Sequence, residues 1–269
     1  MKKISSTLLF LSVMASTTLA IHQTALASPI ALGSVTDNYV GSNAHGWGDV
    51  IGSPAYFDIS RLEASINGTI LTVNISTNFA GRGDDKLFAP YTYSGKGIGY
   101  GDLFLSNDWT PFGSGAYLSD NATNGTDWLY GFALDNRYSA SGGSGVLYRL
   151  NGPNSTNILN AESFIKNNAT YRNGQAVAVD TTKVSAADKI ATGAWSVNET
   201  AHLLSISVDI AGTSLWGGEE LALHYGHTCG NDVIEGAVAA PVPEPATLLL
   251  FGSGMAGFGA LKRRRSIGG

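Results

Sequence analysis

At 269 residues with a single cysteine, the chain is long enough to bury a sizeable core but cannot build an internal disulfide framework. Its 16 basic and 21 acidic residues give a net charge of −5, and six of the basic ones (Lys2, Lys3, Lys262, Arg263, Arg264 and Arg265) sit at the two ends. The part between them therefore carries 10 basic against 21 acidic side chains, a net charge near −11, which excludes nucleic acid and anionic membrane as stable partners.

The first residues, Met1-Lys2-Lys3, are positive. An apolar run through Leu8, Leu9, Phe10, Leu11, Val13 and Met14 follows, and then Ala25-Leu26-Ala27. A positive start, an apolar middle and small residues at −3 and −1 make a secretory signal peptide over 1–27, cut after Ala27 or, as the alternative, after Ala20. The run falls short of the ~20 residues that span a bilayer, so it is expected to be removed and not to remain as an anchor.

From residue 28 the chain is rich in Gly, Asn, Ser and Thr, and its apolar residues alternate. Over 62–76, Leu71, Val73 and Ile75 face one way and Thr72, Asn74 and Ser76 the other, after an Asn67-Gly68 hairpin signal. Leu204, Ile206, Val208 and Ile210 alternate with Ser205, Ser207 and Asp209, and Ala194-Trp195-Ser196-Val197 precedes them across a polar turn at Asn198. Further strands are expected over 56–60, 102–106, 128–134, 146–150, 176–180 and 221–227. A turn cluster is expected at Ser141-Gly142-Gly143-Ser144-Gly145, and short helices over 158–166 and 182–190. Many short strands without βα alternation predict one all-β domain over 28–240, an antiparallel jelly-roll-like sandwich.

The last segment, 241–269, is of another kind. Val242-Pro243-Glu244-Pro245 precedes an uncharged apolar stretch over 247–261, which halts at Lys262-Arg263-Arg264-Arg265. Basic clusters stay on the cytoplasmic side, so the stretch reads as a transmembrane helix parked transiently in the inner membrane with the bulk of the chain outside. Motif, Gly-rich helix and arginine cluster resemble the PEP-CTERM sorting signal of Gram-negative bacteria. The resemblance implies processing by an exosortase, a membrane-embedded cysteine transpeptidase, near Val242, Pro243, Glu244 and Pro245. It also implies delivery to the cell surface or the extracellular polymeric matrix. More weakly, Leu71-Thr72-Val73-Asn74-Ile75, Gly101-Asp102-Leu103-Phe104-Leu105 and Trp128-Leu129-Tyr130-Gly131-Phe132 resemble strands of family-nine carbohydrate-binding modules and DOMON-like domains.

No hydrolase, zinc-protease or nucleotide-binding signature occurs, and the chain is not expected to be an enzyme. If 221–229 is a strand, period two puts His224 on one face and His227 and Cys229 on the other, so at most two of them share an ion. Asp84, Asp85 and Asp102 lie in Gly-rich loops and are the expected ligands if calcium binds, since calcium takes loop carboxylates and carbonyls. Tyr91, Tyr93, Tyr100 and Trp109 are the rings expected to stack on a matrix polysaccharide. The segment from Thr228 to Gly236 resembles a closing stretch found before such sorting tails, with Gly230-Asn231-Asp232 as a turn ending the last strand. The leading reading is a non-enzymatic surface or matrix protein, adhesive or glycan-binding. A secreted polysaccharide hydrolase and a calcium-stabilised structural module are the alternatives.

Overall fold

The alternation in the sequence is satisfied by a curled sheet. A computed structural model describes residues 28–42, 48–151, 156–166 and 169–241. The signal peptide expected over 1–27, with Ala25 and Ala27, and the tail from Val242 onward lie outside the described residues. No helix among the described residues is long and apolar enough to cross a membrane.

Strands β1 (Ile30–Thr36), β2 (Ile59–Asn67) and β3 (Ile70–Thr77) form an antiparallel meander, with a one-turn helix α1 (Pro54–Phe57) ahead of β2. Asn67 pairs with Ile70 across the two-residue turn Gly68-Thr69, and Gly68 takes the left-handed φ of +58° that such a turn requires. Leu62, Ala64 and Ile66 on β2 and Leu71, Val73 and Ile75 on β3 point into the core. The 56–60 segment expected as a strand splits, because Pro54 starts a helical turn and pairing begins only at Ile59.

The remaining strands are β4 (Leu103–Ser106), β5 (Tyr130–Leu134), β6 (Gly142–Arg149), β7 (Ile158–Asn160), β8 (Ala176–Val179), β9 (Lys189–Asn198), β10 (Leu203–Asp209), β11 (Glu220–Gly226) and β12 (Val233–Ala239). Ten strands make one sheet in the order β1-β2-β3-β10-β9-β6-β5-β4-β11-β12, with every neighbouring pair antiparallel. The sheet curls until its outer strands meet. A Cβ on Gly33 of β1 would lie 3.3 Å from Val238 of β12, and one on Gly236 would lie 2.6 Å from Val35. The all-β antiparallel expectation holds. Instead of two jelly-roll sheets, one hydrogen-bonded sheet is nearly closed into a barrel around Phe57, Leu62, Val73, Leu105, Ile206 and Leu223.

Strands β7 and β8 pair only with each other. They cover the outside of β4, β5 and β11, and a second apolar cluster forms there from Phe104, Trp128, Ala133, Leu150, Val179 and Ala222. This is why β4, β5 and β11 are buried on both faces, whereas β3 and β10 alternate. The cluster Gly142-Gly143-Ser144-Gly145, expected as a turn, opens β6. A Cβ on Gly145 would lie 2.5 Å from the Phe132 ring, and one on Gly142 2.3 Å from the Trp195 carbonyl, so the glycines make room for neighbours. The helix expected over 158–166 is β7 followed by a 3-10 turn, Ala161–Ser163, and that over 182–190 is a 3-10 turn, Ala186–Asp188, leading into β9.

Candidate functional site

The polar turn between β11 and β12 gathers most of the chain's unusual chemistry. Asp232 ends this turn fully buried, and its carboxylate accepts the Ile59 N–H at 2.5 Å and its neighbour Val233 N–H at 2.9 Å. Asp37, just past β1, and Asp49 reach the same point, and one ligand oxygen from each of the three lies within 4.8 Å of the others. Asp37 Oδ1 is sealed from solvent without a hydrogen-bond partner. Burial, and then the neighbouring Asp49, push the Asp37 carboxyl up to about 8. Burial, and then Asp37, push Asp232 up to about 9, and burial also raises Asp49. Oxygens 2.3–2.6 Å from a calcium ion stand up to roughly 5 Å apart on its opposite sides, so the span fits a hard divalent cation.

Arg172 is the nearest fixed countercharge. It is 1 % exposed, and its guanidinium donates to the carbonyls of Gly230, Ser42, Gly48 and Asp49. It thus ties the strand-joining segments to the β11–β12 turn. Three carboxylates against one arginine leave an excess of negative charge that protons or a cation must offset.

Beside this turn lies a cavity of about 410 Å³ whose walls include Ile51, Phe57, Ile98 and Ile165, with Cys229 and Asn231 also lining it. Burial pushes the Cys229 thiol up to about 12, so it is no nucleophile at neutral pH.

On the outer face of the sheet, His224 sits between Glu235, at 2.8 Å from Nδ1, and the Ala176 carbonyl, at 2.8 Å from Nε2, so both ring nitrogens are placed to donate. Glu235 also accepts from Trp109 Nε1 at 2.9 Å and from the Thr126 hydroxyl at 3.2 Å. Nearby, Tyr39 donates to Asp120 at 2.9 Å, and burial followed by Glu235 pushes Asp120 up to about 6. Asp120 and Glu235 are 1 % and 2 % exposed, so these paired acids have no open face toward a substrate. Glu235 and Glu220, which accepts the Trp109 N–H at 2.6 Å, hold the 107–127 loop against β12 and β11, and Asp120 ties it to Tyr39.

As expected from period two, His224 points to the outer face and His227 to the inner one, against Phe57 and Phe79. Burial lowers His227 to about 3, and its Nε2 faces the Phe57 carbonyl at 3.2 Å.

The residues chosen from the sequence fare unevenly. Asp102 is not free to bind calcium. It is fully buried, forms an ion pair with Arg137 at 3.1 Å, and accepts the N–H groups of Leu134 at 2.9 Å and Val179 at 2.7 Å. Asp84 and Asp85 are exposed, and Asp85 pairs with Arg82 at 3.4 Å. Tyr100 is no stacking surface, since it is fully buried and its hydroxyl bonds to Gly81 N–H and the Phe79 carbonyl. Trp109 is half-buried and turned toward Glu235. Tyr91 and Tyr93 are 43 % and 60 % exposed, at the end of a 3-10 turn, Ala89–Tyr91, and remain available for stacking. Asp37, Asp49 and Arg172 carry no local signature; only Asp232 lies in a segment that the sequence singles out.

Residues 241–265 match the PEP-CTERM protein-sorting motif. No curated protein and no solved structure matches the chain.

Proposed function

Because the chain carries an exosortase sorting signal and is thereby an exported protein processed on its way to the surface, we propose that the nearly closed β-domain is a non-enzymatic module of the extracellular polymeric matrix of a Gram-negative bacterium. The signal peptide exports it, the apolar tail holds it in the inner membrane, and cutting near Val242–Pro245 releases it. The sorting motif is the observation that carries this reading. Asp120 and Glu235 are buried under a loop, whereas glycoside hydrolysis needs two carboxylates flanking a cleft that admits sugar, so this acid pair does not favour the hydrolase alternative. Matrix polysaccharide is the proposed partner, stacked on the exposed rings of Tyr91 and Tyr93.

The test replaces Pro243, Glu244 and Pro245 together by alanine in the native host and reads both termini of the exported protein by mass spectrometry. The expected result is a full-length chain retained in the inner membrane, while the unaltered protein appears outside without its arginine-rich end. Unchanged size and location would sink the reading. In the released protein, Tyr91→Ala with Tyr93→Ala is expected to weaken sedimentation with purified matrix polysaccharide by roughly tenfold, about 1–1.5 kcal/mol for lost ring stacking.

A second reading, a calcium-stabilised module, is favoured by the Asp37–Asp49–Asp232 cluster and moves the proposed ion away from Asp84, Asp85 and Asp102.

A further inference from the structure

The β7–β8 hairpin does more than cover the second apolar cluster. Between it and the β5–β6 hairpin runs an open groove of about 350 Å³, within the range of small-molecule pockets, roughly 300–1,000 Å³. Its lining divides by chemistry. Ala133, Leu134 and Val179 give it a buried apolar floor, with Val146 half-buried beside them. Two half-buried rings, Tyr148 and Phe164, also line it. Asp135, Arg137, Asp180 and Thr181 supply the polar part.

The fold uses these polar groups only in part. Thr181 is exposed, and neither its hydroxyl nor that of Tyr148 has a hydrogen-bond partner among the described residues. Asp135, also exposed, takes the Ser144 hydroxyl on one oxygen and leaves the other free. Arg137 donates to the Tyr100 carbonyl and to Asp102, and its guanidinium lies 5.5 Å from the centre of the Phe164 ring. The charges are already matched, Arg137 by Asp102 at 3.1 Å and Asp180 by Lys183 at 3.4 Å. No unmatched cation lines the groove to receive an anionic group.

The groove adjoins the exposed rings. The carbonyl of Phe164 accepts the Tyr93 N–H at 2.9 Å, and Thr92 bridges Ile165 in antiparallel fashion. Thr92 and Ile165 are each 2 % exposed and point inward, so Tyr91, Tyr93 and Phe164 alternate to the outward side.

We propose that this groove is a second subsite for the matrix polysaccharide, holding a short run of uncharged sugar units whose neighbours in the same chain stack on Tyr91 and Tyr93. The inference rests on the reading that the domain binds such a polysaccharide. A pyranose supplies what the lining asks for. Its C–H face covers the floor and the Tyr148 ring, and its hydroxyls donate to Asp135 and exchange hydrogen bonds with Thr181 and Tyr148. A wholly apolar ligand would leave these groups unused, and a uronate would bring its carboxylate up to Asp135.

The test is co-sedimentation of the exported protein with purified matrix polysaccharide, in competition with fragments of that polymer separated by anion exchange into neutral and acidic pools. The neutral pool is expected to displace the protein, and the acidic pool to displace it less. Tyr148→Ala should weaken sedimentation roughly tenfold through the lost ring. Because Tyr148 is half-buried, Thr181→Val serves beside it at an exposed position, with an expected loss of roughly threefold, as one neutral hydrogen bond supplies. The proposal is overturned if either variant sediments as the unaltered protein does, or if the acidic pool competes better than the neutral one. Losses in both groove variants, with Tyr91→Ala and Tyr93→Ala together having no effect, would keep the groove and remove the exposed rings from the reading. An unaltered protein that does not sediment with the polymer overturns both.

Discussion

Asp102 shows how one carboxylate can be read two ways. Beside Gly101 in a polar segment it looks like an ion ligand; in the fold it is a staple. Its two oxygens join the N–H of Leu134 on β5, the N–H of Val179 on β8 and the guanidinium of Arg137, which in turn donates to the Tyr100 carbonyl. Removing one member of a buried, hydrogen-bonded ion pair strands the other, at a cost of about 3–5 kcal/mol. Asp102→Ala is therefore expected to lower the unfolding free energy by that amount in urea titration, whereas Asp84→Ala and Asp85→Ala, both exposed, should stay within about 0.5 kcal/mol. Equal effects at the three positions would contradict this assignment. Nothing local separates these aspartates, since the partners of Asp102 lie 32, 35 and 77 residues away in sequence.

At the scale of elements, the alternation in β3 and β10 was legible because one face of each meets the core and the other remains partly exposed. It failed at β6, where glycines looked like a turn. There the strand passes so close to Phe132 and Trp195 that side chains are excluded, and composition alone cannot tell a glycine that bends the chain from one that makes room. Gly145→Ala tests this. The added Cβ would meet the Phe132 ring at 2.5 Å and the Ala133 carbonyl at 2.7 Å, a clash expected to cost about 1–3 kcal/mol in thermal unfolding. Gly48→Ala, with nothing within 4 Å, is the control and should barely register. Strand β12 escaped the sequence reading for a related reason. Val233-Ile234-Glu235-Gly236 has no clean alternation, because β12 is almost wholly buried and Glu235 is held by His224 and Trp109.

For the whole molecule, the question is what balances an acidic domain without disulfides. Asp37, Asp49 and Asp232 converge from the end of β1, from the segment before α1 and from the β11–β12 turn, near the line where the curled sheet almost closes. A divalent ion there would link the first and last strands of the barrel, and its binding free energy would add to folding stability by RT ln(1 + [L]/Kd). With an extracellular-type affinity of about 10⁻⁴ M, 10 mM calcium is expected to stabilise by about 2.7 kcal/mol, a rise in melting temperature of about 5–10 °C that a chelator reverses. Asp37→Asn should remove the response without unfolding the chain. A melting curve indifferent to calcium and chelator would count against the ion.

The sequence by itself determined the sorting signal and the predominance of antiparallel strands. It could do so because the sorting motif is contiguous, as are the apolar blocks and the period-two patterns. Only the tertiary structure decided that the strands form one curled sheet, that β7 and β8 pack outside it, and which acids meet. Strand order and the Asp37–Asp49–Asp232 encounter depend on pairings between residues up to about 200 positions apart, for which local pattern holds no record.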